Sequence, residues 1–406
     1  MIPRLKPILG MDEFLSLFCR ISNAVEHFEN EFAQAAGVKH AIAYPYGRSA
    51  LWAFFKALGL ENAEVVQPAY TCVVVSHATV LSGNTPRFID IRLNDYNADL
   101  DQVAASINEN TRAVIATHLF GYPLNVDSLN AIVRSAEERF GHKIWIIQDC
   151  AHSFGARWQG KLVSQHGDVS LYGLNISKMI TSIFGGMMTT DDANLADRLR
   201  KWRDENFHQA GIVKSLSRSL YLLAIYPAFN PSLYGMMYWL QEQTPLLNSL
   251  TKAYHLDEMI RLPPDFQDAM LNVEARVGLA QLRKYESILS ARCENARFYE
   301  SRLAGIEGLE LPPMVDGATY SHYVIRVKDR QRVMKEMARR GVQVGQLIEY
   351  SIPHMDAYRK YASGHSFQNS LLCSQTTINL PIYPGLSEME LQKISSALIE
   401  TMHVVN

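Results

Sequence analysis

The chain has 406 residues, 48% of them hydrophobic, with a formal net charge of −2; this length supports a large core and two globular parts in one subunit. No basic block is present, which argues against nucleic acid as a partner. Five scattered cysteines (Cys19, Cys72, Cys150, Cys293 and Cys373), odd in number and without metal spacing, indicate neither a disulfide framework nor a zinc site.

The opening, Met-Ile-Pro-Arg-Leu-Lys-Pro, lacks the charged-then-apolar layout of a signal peptide, so a cytoplasmic location is expected. Residues 11–36 carry apolar positions at helical spacing (Phe14, Leu17, Phe18, Ile21, Val25, Phe28, Phe32), which predicts one amphipathic helix or a pair with a packing role. Residues 41–60 start as a short strand, turn at Pro45-Tyr46-Gly47-Arg48-Ser49 and continue as a helix. A turn feeding a helix N-terminus aims free N–H groups at an anion. Taken alone, such a turn is more often an ordinary strand-to-helix connection. Residues 64–72 read as a strand and a Pro-initiated loop ending on Cys72, followed by an apolar helix over 73–81. Short apolar strands at 85–91 and 113–119 flank a helical stretch at 100–107, the βαβ rhythm of a parallel sheet. His118 ends the second of these strands; a lone strand-end histidine is more often structural, and it stays outside the catalytic set.

Residues 144–156 read as a buried parallel strand ending on Asp149, then a loop of small residues carrying His152. A carboxylate at the C-terminal end of a central α/β strand lies where ligands bind. Residues 167–188 give a strand pattern (Val169, Leu171), a Gly/Asn/Ser turn presenting Lys178, and Gly185-Gly186 opening a second strand-like run. A lysine held between two strands loses solvent, which lowers its pKa and exposes the lone pair needed for a Schiff base with an aldehyde. By itself the stretch also reads as a hairpin loop with a surface lysine. Asp149 shifts the balance, because a lysine and an aspartate so arranged meet the needs of pyridoxal 5′-phosphate (PLP). The amine bonds the aldehyde, and the carboxylate keeps the pyridine nitrogen protonated.

These motifs, in this order, resemble the DegT/DnrJ/StrS family of PLP-dependent sugar aminotransferases. That family carries an Asp-x-Ala-Gln/His loop, then Ser-Phe-x-x-x-Lys and Glu-Gly-Gly. The likeness covers residues 28–43, 50–121, 146–190, 271–282 and 380–386. It implies fold type I, with a large domain built on a mostly parallel sheet and a smaller C-terminal α+β domain. It further implies Lys178 as the Schiff-base lysine, Asp149 as the pyridine partner and His152 as a contact to the ring's phenolic oxygen. Cys72 stands where the family places a side chain, often aromatic, against the ring; Tyr70 is the other group that could cover it. Gly47, Arg48, Asn175 and Ser177 are the expected phosphate cup. The chain departs from the pattern at Arg48, at Gly173 in place of serine and at Phe184 in place of the acidic residue. The implied reaction transfers an amino group from glutamate to a nucleotide-linked keto-sugar, in a homodimer. Two alternatives remain: a PLP-dependent sugar dehydratase, although such enzymes carry histidine where this chain keeps Lys178, and a non-catalytic PLP-binding or regulatory descendant.

Beyond the lysine turn, residues 194–205 predict a charged helix leaving the large sheet. Residues 219–241 contain no charge over 23 positions, broken by Pro227, Asn230 and Pro231. A single straight transmembrane helix is disfavoured by the two prolines. A buried helical hairpin or dimer contact, a peripheral membrane patch and a wall of the substrate pocket all fit. Residues 268–303 predict one long amphipathic helix. Strands near 323–327 and 377–380, with helices at 331–340 and 388–402, form the small domain, Ser387 capping the last helix. The expected division is 1–210 for the large PLP-binding α/β domain, 211–265 for an inserted apolar helical segment, and 266–406 for the linking helix and the small domain.

Overall fold

The computed structural model describes residues 1–229, 259–362, 364 and 366–405. Its strands are β1 (His40–Tyr44), β2 (Glu64–Pro68), β3 (Thr85–Ile89), β4 (Thr111–Thr117), β5 (Trp145–Asp149), β6 (Arg157–Trp158), β7 (Lys161–Leu162), β8 (Val169–Gly173), β9 (Gly186–Thr190), β10 (Leu309–Glu310), β11 (Tyr323–Val327) and β12 (Thr377–Leu380). Seven of them form the large sheet in the order β1-β9-β8-β5-β4-β2-β3. From β3 through β8 every pairing is parallel, while β9 runs antiparallel to both its neighbours.

The near-continuous apolar runs of β4 and β5 follow from burial on both faces. In β1 the period of two is visible: Ala41 and Ala43 face a layer with Phe28, Phe32 and Tyr172, while Ile42 and Tyr44 face one with Phe54 and Leu199. The first layer holds the helices Ala24–Ala35 and Asn272–Leu282, the second Gly47–Ala57 and Ala193–Asn206. Helix Ala193–Asn206 therefore covers the large sheet, burying Leu195, Ala196 and Leu199, and does not lead away from it as its charge suggests. Residues 11–36 form two helices, Met11–Ser16 and Ala24–Ala35, the second of the two arrangements their spacing allows.

The small domain packs β10, β11 and β12, in that order and antiparallel, under helices Tyr285–Leu303, Arg330–Arg339 and Glu388–Val405. Ser387 begins the last helix with a reciprocal cap: its N–H donates to Glu390 Oε2 (2.8 Å) and its hydroxyl accepts from the Glu390 N–H (3.3 Å). The single long helix expected over 268–303 is two helices, broken at Arg283–Lys284, where Lys284 Nζ turns to the buried Glu13 (2.7 Å). The N-terminal residues belong to this core as well, because Ile2 bridges to Val342 in parallel. Helix Ile212–Ala228 opens the apolar segment, exposing Ile212, Val213, Leu216 and Leu220 while burying Arg218, Leu222 and Ile225. The rest of the 219–241 run lies outside the described residues, and none of the described helices is long and apolar enough to cross a membrane.

Candidate active site

The parallel strands end together at Thr117 of β4, Asp149 of β5 and Gly173 of β8, and a pocket opens at this edge. Gly47, Arg48, Cys72, Asp149, His152, Asn175 and Lys178 all line it. Ser177 does not. Its hydroxyl donates to Asn175 Oδ1 (2.7 Å), and the residue lines a neighbouring cavity.

Lys178 is presented by an Asx turn. Asn175 Oδ1 accepts from the Ser177 N–H at 3.0 Å and the Asn175 carbonyl accepts from the Lys178 N–H at 3.0 Å. The stem below is closed by Leu174 N–H to the Gly185 carbonyl and Ser182 N–H to the Leu174 carbonyl, both 2.9 Å. Loss of solvent lowers the Lys178 pKa; Cys72 and Asp149 oppose that shift, and the Arg48 charge adds to it.

Asp149 is buried, and Thr117 stands opposite it in the β4–β5 register. Asp149 Oδ1 accepts from the Ala151 N–H (3.1 Å) and Oδ2 from the Thr117 hydroxyl (3.3 Å). Burial pushes its pKa up, while the Ala151 N–H, the Lys178 charge and the Thr117 hydroxyl pull it down. Such a carboxylate gains from a cation placed beside it.

His152 lies almost parallel to the Phe120 ring (15°, centroids 6.1 Å apart) and 5.0 Å from the His322 ring. Burial, and after it the Lys178 charge and His322, depresses its pKa well below the ordinary value, so the ring is neutral. Its Nδ1 is buried without a protein partner. An unmet buried acceptor or donor costs about 1–3 kcal/mol, which makes it a mark of a missing ligand atom.

The helix Gly47–Ala57 starts from an extended Tyr46 that makes no side-chain cap, so its first-turn N–H groups stay open. Arg48 Nη1 is buried without a partner, and no carboxylate among the described residues pairs with this guanidinium. The turn itself is fixed from behind. Tyr46 Oη donates to Asp265 (2.8 Å to Oδ2) and accepts from Arg218 Nη2 (2.8 Å), whose guanidinium sits 3.9 Å from the Phe184 ring centroid. Phe184, the departure from the acidic residue, thus meets a cation through its π face. Gly186 permits the close approach of β9: a Cβ there would stand 2.3 Å from Gly47 N and from the Tyr46 carbonyl carbon. Gly173 is not sterically required, since a Cβ would meet Lys178 Cε at an ordinary 3.6 Å.

Tyr70 is removed from the ring-covering role. Its hydroxyl is buried among small-domain partners, donating to the Ile348 carbonyl (3.2 Å) and bonding Thr377 Oγ1 (3.0 Å), whereas Cys72 is half-buried at the pocket wall. His118 is structural, as read: Nδ1 accepts from the Leu124 N–H (2.9 Å), Nε2 donates to Gln148 Oε1 (2.8 Å), and burial lowers its pKa to about 4. Thr71 and Thr117 also line the pocket and had no sequence signal, and the Tyr46–Asp265–Arg218 support brings together three distant segments.

The profile of the DegT/DnrJ/EryC1/StrS aminotransferase family matches residues 16–399. The chain belongs to that family. The aminotransferase is 26% identical over 392 residues to GDP-perosamine synthase of Caulobacter vibrioides, covering 94% of this chain and 91% of that protein. It is 23% identical over 415 residues to the spore coat polysaccharide biosynthesis protein SpsC of Bacillus subtilis, covering 98% and 96%. Its fold matches the crystal structure of the sugar aminotransferase CalS13 from Micromonospora echinospora with a TM-score of 0.78 at 20% identity, over 98% of this chain and 100% of that one.

Proposed function

We propose that this aminotransferase uses PLP to move an amino group from glutamate onto a keto-sugar carried on a nucleotide. The observation that carries the reading is the convergence of a desolvated Lys178 and a buried Asp149 on one pocket. The names of its relatives, a GDP-perosamine synthase and a polysaccharide biosynthesis protein, support a nucleotide sugar as the acceptor. PLP, when bound, supplies an electron sink for the carbon that loses its proton.

The residues divide the remaining work. Lys178 Nζ would be the amine that holds the cofactor's aldehyde carbon, and it would also move the proton at the donor's α-carbon. A depressed pKa suits that task because the neutral amine is the base. Asp149, fixed by Ala151 and Thr117, would hold a proton at the pyridine nitrogen. His152 Nδ1 is free to meet the phenolic oxygen. Arg48 and the open N–H groups of the first turn would hold the phosphate. A homodimer remains part of this reading.

Borohydride reduction followed by peptide mass spectrometry is expected to find a pyridoxyl group on Lys178; a label on another lysine, or none, removes the assignment. Arg48→Ala is expected to weaken PLP binding by about 1.5–3 kcal/mol, roughly ten- to a hundredfold. Dissociation constants within about twofold of each other would show that Arg48 does not hold the phosphate.

A further inference from the structure

Neighbouring residues of one turn open onto two cavities: Lys178 onto the site described above, and Ser177 onto a second one lined by Arg4, Arg292, His322, Asn379 and Tyr383. Arg292, on helix Tyr285–Leu303, is only 3% exposed. Its Nη1 donates to the Ser321 carbonyl at 2.7 Å, its buried Nε has no acceptor, and no carboxylate among the described residues pairs with it. Burial lowers its pKa to about 10, so at neutral pH the group is still charged. A sealed cation without a counter-charge is costly, and in native proteins such groups are paired or hydrogen-bonded.

The second arginine arrives from the start of the chain. The Ile2 bridge to Val342 lays the N-terminal segment on the small domain, and Arg4 Nη1 donates to the Gln346 carbonyl at 2.6 Å. Gly345 makes room for it, because a Cβ there would come within 2.5 Å of Arg4 Cδ and Nη1. His322 stands between the cavities, in contact with His152 on one side and lining the second on the other. Burial first, then the charges of Arg292, Lys178 and Arg4, hold its pKa well below the ordinary value. Three cations therefore converge on one neutral ring, and the described residues that line the cavity include no carboxylate.

We propose that this cavity is the carboxylate subsite for the amino donor, with Arg292 and Arg4 as its binding residues. The inference rests on the proposed function and deepens it. Its location favours the donor over the acceptor: an amino acid's α-carboxylate lies one bond from the carbon whose proton Lys178 moves, so its site must adjoin that lysine. The phosphates of a nucleotide sugar are separated from the reacting carbonyl by part of the sugar ring. Guanidinium forks also match a carboxylate in two-point geometry.

The test uses the full-length PLP-loaded enzyme and follows the absorbance change on adding glutamate. Arg292→Met, which keeps the volume and removes the charge, is expected to raise the half-saturating glutamate concentration about ten- to a hundredfold. PLP binding and the borohydride label on Lys178 should be unchanged. Arg4→Met, in a half-buried segment that can lose the side chain without opening the core, should move the same constant in the same direction. Glutarate, a dicarboxylate that cannot react, should compete with glutamate in the wild type and lose potency in both variants. Unchanged glutamate constants in both variants overturn the subsite. So does weakened inhibition by GDP with glutamate unaffected, which would assign the cations to the nucleotide. A labelled wild type whose spectrum does not respond to glutamate rejects the donor itself and is distinguishable from either result.

Discussion

Lys178→Ala is expected to lower the glutamate half-reaction by on the order of 10⁴-fold, the upper end of what one proton-moving group contributes, because the same amine also secures the cofactor. The variant should still fold: Lys178 is half-buried in an Asx turn whose bonds all run through Asn175 and backbone atoms. Single-turnover absorbance measurements with saturating PLP and glutamate give the number. The direction of the Lys178 pKa shift adds a pH signature in the wild type. Loss of solvent lowers that pKa from its ordinary value, so the neutral, reactive amine accumulates at lower pH than for a free lysine. The rate at which cofactor-free protein captures PLP should therefore rise with pH through a midpoint below that of an ordinary lysine. Arg48→Ala should move the midpoint upward, since the Arg48 charge helps to keep the amine neutral. A Lys178→Ala enzyme with near-normal turnover would show that another group moves the proton.

Much of this site could be read from the chain because its signals are local. The apolar run of β5 ends on Asp149, and a strand end in an α/β sheet is where ligands sit. The Gly, Asn and Ser residues around Lys178 announce a turn, and the turn is there. What escaped depends on register or on distant segments. Thr117 reaches Asp149 only because β4 and β5 pair Thr117 with Asp149, a register that two parallel apolar strands do not write into their sequences. The helix break at Arg283–Lys284 falls on two good helix formers and is stabilised by Glu13, far away in the chain. Tyr70 and Cys72 stand two positions apart in one loop, and only packing sends the phenol into the small-domain core and the thiol to the pocket. Ser177 and Lys178 diverge in the same way, one residue apart. Arg4 and Arg292 share a cavity from distant parts of the sequence, and neither carried a motif.

Asp149→Asn is expected to keep the cofactor on Lys178 and to lose most of the half-reaction rate. The carboxylate is placed by two bonds, from the Ala151 N–H and the Thr117 hydroxyl, in surroundings where burial already pushes its pKa up. Its ionised form is therefore favoured by positive charge nearby, and a protonated pyridine ring is such a charge. The interaction runs both ways: the ring nitrogen keeps its proton because the carboxylate is there. At about 4 Å and an effective dielectric near 20 the pair gains about 4 kcal/mol, which corresponds to on the order of 10³ in rate if all of it is expressed in the transition state. Asparagine matches the size of aspartate and carries no charge, so the pocket's shape and the lysine bond should survive while the ring becomes a poor electron sink. Thr117→Val separates charge from placement. It removes one long hydrogen bond and leaves the carboxylate, and a loss of roughly tenfold or less is expected. The measurements are the borohydride label on Lys178, which should match the wild type in both variants, and the glutamate-driven absorbance change, which should fall far more for Asp149→Asn than for Thr117→Val. Equal losses in the two variants would mean that Asp149 acts through its hydrogen bonds and not through its charge, and near-normal turnover in Asp149→Asn would remove it from the mechanism.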